Sequence, residues 1–376
     1  MPFSSQAGGG RDLPPFRAGG DFTLGAEDEL LLVAADGSPS EPDGVVERVM
    51  AMQPGRPVSP EIFRGLIEFG TPVCADAGEL AGELARSRAA LGRAGQDAIA
   101  IGVHPTADFG EFHTVHSERY DLIREQFAGI LRTATAAFQV HVGVPDTVTL
   151  VAALRALRNA LPLLRGLAAS SPFWHGRDSG LASTRGALLR SYPRTGPPPA
   201  FGSYDEYESV ARQTMAAAEV PGYTYVWWDV RPQPRFGTLE VRVMDAQSSV
   251  ERAAGLAALI QGIVRAAAEE PPAVDLPDVV LDENDFRAVR YGLDARLVDT
   301  DGRLRPLREL AADAIGRARA ALAGEATTGP LDRLRGDLDR EPEDQRQRRL
   351  REIGGMTGLL ADLMARTAGG PVGPVE

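Results

Sequence analysis

The chain has 376 residues, with 52 acidic side chains against 40 Lys and Arg and a formal net charge of -12. That length can bury a large core, as one big domain or two smaller ones, and 43% hydrophobic with 24% charged residues is ordinary soluble composition. No basic stripe is available to track a nucleic-acid backbone, so that class is excluded; a nucleotide is not, because metal and arginine can invert the field of an acidic protein locally.

The opening MPFSSQAGGGRDLPPF has no apolar signal core, and residues 1–20, rich in Gly and Pro, predict a loose N-terminal arm. No later run reads as long enough to cross a bilayer, so no membrane partner is expected and a cytoplasmic location follows. The first strand is read over 22–33, around GAEDELLLV. Alternation sends Glu27 and Glu29 one way, with Leu31 and Val33, and Asp28 the other, with Leu30 and Leu32. Adjacent glutamates on one face repel each other, so that face is wet or a cation neutralises it. Asp28 needs either an arginine or a place at a sheet margin.

A short apolar stretch at 61–70 carries Glu68, and 77–98 has the pattern of a helix. AIAIGVHP at 98–105 reads as a strand with His104 at its tip, followed by a helix at 119–134. In AFQVHVGVPD, 137–146, Val140, Val142 and Val144 line one face and His141 the other. A long apolar helix spans 150–168; the Gly, Pro, Ser and Arg of 176–203 then form a stretch too long for a plain connection, which predicts a functional loop. A polar helix at 204–218 precedes the aromatic YTYVWWDVRP, where Trp227 and Trp228 are core or pocket wall. GTLEVRVMDAQSS, 237–249, alternates sharply, with Leu239, Val241 and Val243 opposite Glu240 and Arg242. A helix at 250–269 and a mostly helical remainder complete the pattern, which suits a largely antiparallel or mixed sheet with helices on one face.

Three strands therefore each carry polar groups opposite their hydrophobic stripe: Glu27 with Glu29, His141, and Glu240 with Arg242. Carboxylates with one imidazole suit Mg²⁺, or Mn²⁺, better than structural zinc. Arginines recur in the loops at 177, 185, 194, 231 and 235, and such forked cations grip phosphates and carboxylates. Metal and arginine together are the minimum kit for a nucleoside triphosphate. The single cysteine, Cys74, excludes a disulfide framework, and its small apolar neighbours predict a buried thiol, not a nucleophile. His104 stands evenly between ligand and structural roles; His113 and His116 make a poor metal pair, and His175 is ambiguous.

Taken together, GAEDELLLV, EFGTPVC at 68–74, GVHP at 102–105, FQVHVGVPD at 138–146, SSPFWHGRDSGLASTRG, SYPRTGPPPAFGSYDEY, RPQPRFGTLEVRVMDAQ and ENDFRAVRYGLDA resemble the carboxylate–amine ligases of the second glutamate–cysteine ligase group, over about residues 20–370. The resemblance implies an α+β, glutamine-synthetase-like catalytic domain over 21–376, with a helical C-terminal part and a curved, largely antiparallel sheet around an active-site funnel. It implies ATP-dependent activation of a glutamate-like carboxylate, the γ-carboxylate first, as an acyl phosphate, then condensation with the amine of cysteine or another amino compound. Glu27, Glu29, Glu68, His141 and Glu240 match positions implied to hold Mg²⁺, with Glu27 also serving the nucleotide. Arg235 and Arg242 would lie near the phosphates and the developing oxyanion, with Arg185 and Arg194 in the flanking loop. Asp28 replaces the glutamate usual in the middle of the opening motif. The implied partners are the two small substrates, and a homodimer is a family-level expectation. A phosphotransferase without condensation and a non-catalytic binding protein are the alternatives.

Overall fold

The computed structural model describes residues 13–127, 131–270, 273–322 and 328–369. In chain order the elements are β1 (Leu24–Val33), α1 (Val45–Met52), β2 (Val58–Pro60), β3 (Leu66–Gly70), α2 (Ala77–Arg93), β4 (Asp97–Ile99), α3 (Glu118–Phe127), β5 (Ala137–Gly143) and α4 (Thr147–Ala168). The long loop region holds β6 (Phe173–Trp174), β7 (Arg177–Asp178), α5 (Thr184–Leu189) and β8 (Thr195–Gly196), before α6 (Tyr204–Ala217). Then come β9 (Trp227–Trp228), β10 (Val230–Gln233), β11 (Thr238–Asp245) and α7 (Val250–Glu269). The C-terminal part contains α8 (Asp278–Tyr291), the ribbon β12 (Arg296–Val298) and β13 (Leu304–Pro306), α9 (Leu307–Ala321), α10 (Thr328–Asp337) and α11 (Glu343–Thr367).

The main sheet runs β10–β11–β5–β1–β3–β2, with β4 pairing the far end of β1. Every pairing within it is antiparallel. The period of two divides the sheet into an apolar back and a polar front. Behind it, Leu24, Val140, Val142, Leu239 and Val241 join the apolar faces of α4 and α7 in one core. A second core forms where β1, β3 and β4 meet α1 and the end of α11, around Leu31, Ile67, Ile99, Leu359 and Leu363.

The expected α+β class and the antiparallel sheet are what the fold displays. Several boundaries differ. The strand expected over 98–105 stops at Ile99, and His104 sits in a turn beyond it, where its Nδ1 accepts from the amides of Thr106 and Ala107 at 3.2 and 3.1 Å. The helix expected at 119–134 is shorter: α3 is Glu118–Phe127, 128–130 lie outside the described residues, and 131–134 are not helical. The expectation that no run is long enough for a membrane also needs correcting: α4 has the length and apolar composition to cross one. Its burial explains that composition, and its Arg158 and Arg165 are buried and ion-paired within the fold.

Of the expected loose arm, 1–12 lie outside the described residues, whereas 13–20 are packed. Leu13 is in the main core, and the amides of Arg17 and Gly19 donate to Pro234 and Val144 carbonyls, both at 3.0 Å. The segment crosses the β10–β11 hairpin through three glycines. A Cβ on Gly19 would lie 2.0 Å from the Gly237 oxygen, one on Gly237 2.0 Å from the Arg17 oxygen, and one on Gly143 2.5 Å from the Gly19 oxygen. Gly237 also has φ +65°, a left-handed conformation that disfavours other residues.

Candidate active site

Strand register assembles the front face. Glu29 stands opposite Glu68, which stands opposite Ser59; Glu27 faces Gln139; Glu240 lies between His141 and Arg231. Gly25, opposite His141, leaves that side of the sheet bare of a side chain. Above these rows opens a cavity of about 210 Å³. Its acidic wall is Glu27, Glu29, Glu61 and Glu68, and Arg119, Arg185, Arg231 and Arg242 also line it.

The acids are crowded and dry. Glu29 accepts from the Ala137 amide at 2.7 Å and from Gln139 Nε2 at 2.6 Å. Burial, then the charge of Glu61, still push its carboxyl up to about 8. Burial and the charges of Glu27, Glu61 and Glu29 hold Glu68 well above the usual carboxylate range, and burial raises Glu61. A cation among them would reverse the repulsion, and this is the physical fit of the site to a divalent metal. Glu27, His141 and Glu240 can each offer one ligand atom, all within 4.8 Å of one another. His141 Nε2 lies 3.4 Å from Glu27 Oε1, and its Nδ1 meets Thr238 Oγ1 at 3.0 Å.

Glu240 belongs to a different electrostatic setting. Arg231 grips it with two bonds of 2.8 and 3.1 Å, and Arg242 and Gln233 donate to it as well. Burial alone would raise its pKa, yet Arg231, Arg242 and His141 hold it well below the usual range. Arg242 is aimed by a β-bulge: Val241 faces Val140 but Met244 faces Phe138, so β11 carries one extra residue there. The Arg242 amide donates to the Asp229 carbonyl at 2.7 Å, which fixes the bulge.

The long loop is anchored to the same strand. Asp245, the last residue of β11, accepts from the Ser170 amide at 3.0 Å and from the Ser171 and Ser183 hydroxyls at 2.8 Å each. Ser183 also caps α5, whose second residue is Arg185. The Arg185 guanidinium lies across the carbonyls of Val243 and Arg242, at 3.3 and 3.2 Å.

Residues 23–366 match the model of glutamate–cysteine ligase family 2. The chain belongs to that family. A Rubrobacter xylanophilus protein carrying the provisional name glutamate–cysteine ligase 2-1 is 35% identical over 92% of this chain and 93% of its own length. A Ruegeria pomeroyi protein, provisionally named glutamate–cysteine ligase 2, is 34% identical over 88% of this chain and 89% of its own. The fold is similar to the glutamate–cysteine ligase of Francisella tularensis, solved in complex with AMP, at a TM-score of 0.71 and 11% identity, covering 94% of this chain and 90% of that one. It also resembles a bifunctional glutathione synthetase from Pasteurella multocida, TM-score 0.68 and 12% identity, over 93% of this chain and 52% of that one.

Within this family member, the fold brings Glu27, Glu29, Glu68, His141, Glu240, Arg185 and Arg242 to one face. Only Glu27, Glu29, Glu68, Arg185 and Arg242 of these line the cavity; His141 and Glu240 are buried at the sheet. Arg194 and Arg235 are not among the lining residues. Arg194 stacks 5.1 Å from the Trp227 ring centre and donates to the Tyr225 carbonyl at 3.0 Å, clamping the rim. Arg235 is exposed on the β10–β11 turn. Sequence patterning missed Glu61, Arg119 and Gln139, which also line the cavity. Trp227 lines it as well, whereas Trp228 packs on Phe201 in the core.

The remaining expectations fall outside the cavity. His104 is buried, its Nε2 against the Gly37 carbonyl at 3.0 Å, and burial pushes it down to about 4. His113 pairs with Glu41 and His116 with Asp121 on the surface. His175 lies 3.4 Å from Asp108 and stacks on Trp174. Cys74 is buried, and burial raises its thiol to about 11, as suits an inert side chain. Asp28 has its arginine: Arg88, across the back of the sheet.

Proposed function

We propose that this chain is an ATP-dependent carboxylate–amine ligase, which activates a glutamate-like carboxylate, the γ-carboxylate first, for attack by cysteine or another amine. The observation that carries this is one cavity with four crowded glutamates and four arginines, built on the front of the sheet. The AMP in the Francisella tularensis structure supports nucleotide use. A cytoplasmic location and a homodimer belong to the same reading.

A free carboxylate is a poor electrophile. Its oxygen attacks the γ-phosphorus and ADP leaves; the amine nitrogen then attacks the acyl carbon, phosphate leaves, and nitrogen loses a proton. Mg²⁺ or Mn²⁺ bound here would neutralise phosphate charge and hold the transferred group in line. Glu27, Glu29 and Glu68 would hold it from the cavity side, with His141 and Glu240 beneath. Arg242 and Arg185 would face the phosphate and the acyl oxyanion, where one such donor is worth about 3–4 kcal/mol. Arg194 and Arg235 serve the rim in this reading, holding the loop and the hairpin turn around the nucleotide.

The test offers glutamate labelled with ¹⁸O in its γ-carboxylate, ATP, Mg²⁺ and a panel of amines including cysteine. Formation of ADP, an amide, and phosphate carrying ¹⁸O is expected. Correctly folded protein that yields no amide with any amine overturns the reading. Glu29→Ala is expected to abolish turnover with the fold intact, and Arg242→Met to lower kcat about 10²–10³-fold; near-normal rates would remove those roles.

A further inference from the structure

Asp28 and Arg88 have no part in the chemistry above, yet they form a buried pair directly behind the acidic strand face. Arg88, on α2, donates Nε to Asp28 Oδ2 at 2.8 Å and Nη2 to Oδ1 at 3.0 Å. Asp28 is 0% and Arg88 4% exposed. The same guanidinium reaches the carbonyl oxygens of Gln247 at 2.8 Å and Ser248 at 3.1 Å.

As core filling, this arrangement is poor: apolar side chains of similar volume occupy such a place without dehydrating two charges. What it does achieve is a connection. Gln247 and Ser248 follow β11 after Ala246, and β11 is separated from β1 by β5. Asp28, Phe138 and Met244 share one row across the three strands, and Met244 is where the register resumes after the bulge. Arg88 thus ties the middle of β1 to the chain just beyond that bulge. Glu27 and Glu29 flank Asp28 on β1, while Glu240 and Arg242 precede the tied carbonyls on β11.

We propose that the Asp28–Arg88 pair is a positioning device for the cation site, fixing β1 against β11 so that the acids of one stand at a set distance from the acid and arginine of the other. The proposal rests on the cation-binding reading of the front face. A sheet shears along its strands more readily than its side chains change length, and ligands on two non-adjacent strands feel any such slip directly. Supporting contacts behind metal ligands commonly carry a factor of about 10–100 in metal affinity.

The deciding variant replaces both partners, Asp28→Leu with Arg88→Met, so that no lone buried charge is left. Mn²⁺ binding is read by electron paramagnetic resonance, unfolding by circular dichroism, and KM for the metal–ATP complex separately from kcat. Expected are cooperative unfolding, Mn²⁺ affinity about 10–100-fold weaker, and a rise in KM that exceeds the fall in kcat. A cooperatively folded variant with Mn²⁺ affinity within about twofold of the parent overturns the device and leaves the ligase reading standing. If the parent itself binds no Mn²⁺, the cation reading fails and takes the device with it. Should the double variant not fold, Arg88→Lys, which keeps the charge but loses the fork, is measured by the same titration and judged by the same outcomes.

Discussion

Glu29 makes the metal-free site a proton store. Its folded pKa of about 8 exceeds the ordinary 4.5, so between those values the folded chain binds a proton that the unfolded chain has released. The stabilisation is complete below about pH 4.5 and is lost as pH rises through about 8. Metal-free protein is therefore expected to lose thermal stability across that window, and Glu29→Gln to flatten the loss; parallel slopes in differential scanning calorimetry would refute this. Mn²⁺ should expel the proton, so calorimetric titration near pH 7 in two buffers of different ionisation enthalpy should give different apparent heats. His104 acts in the opposite sense, since burial lowers it to about 4 and its contribution disappears as pH falls from about 6.5. The sharing of one face by Glu27, Glu29, His141 and Glu240 was legible, because a period of two assigns faces within a strand. Glu61 and Arg119 were not legible: Glu61 lies just outside β2, and Arg119 is in the first turn of α3, whose helical period does not say which sheet face it meets. Asp28's partner, 60 residues away on a helix, was named only as a residue type.

At the scale of elements, the chain around Asp245 matters most. One carboxylate holds the turn after α4 and the start of α5 through three donors, and Arg185 rides on that loop. Asp245→Ala leaves those buried donors unsatisfied, with an expected cost of about 3–5 kcal/mol in urea denaturation. It should also speed limited proteolysis within 176–182 and lower kcat by displacing Arg185. Unchanged proteolysis and turnover would deny the anchor its role. The loop's length announced a function, but α5 is six residues long, too short for any helical period to register. The strand at 98–105 was overextended: β4 ends at Ile99, and beyond it His104 accepts two amides as an Asn or Asp side chain does in a turn.

Seen whole, the molecule is closed from its C-terminal side. Gly355, at φ +67°, breaks α11 into two parts, and the second sends Leu359, Leu360 and Leu363 into the smaller core beneath β4. Thr367 Oγ1 then accepts from the Ala100 amide at 3.0 Å, satisfying a group at the end of β4. Leu359→Ala should cost about 2–5 kcal/mol, measured as a shift in the urea midpoint; a shift under about 0.5 kcal/mol would place that helix outside the cooperative unit. A sheet, antiparallel or mixed, with a helical back was readable from alternation and helical periodicity; its antiparallel character came with the family resemblance. Closure by residues more than 260 apart was not, because the sequence pattern of α11 says only that one face is apolar, not what it meets.

The crossing of Gly19, Gly143 and Gly237 has a consequence for how such a chain can change over generations. A Cβ on any of the three would come within 2.0–2.5 Å of a backbone oxygen at the crossing. Compensation normally works by shrinking a neighbour, and here the nearest atom to each added Cβ is main chain, which cannot shrink. The codons at 19, 143 and 237 are thus constrained together, each by main chain that also keeps the hairpin bearing Glu240 in place.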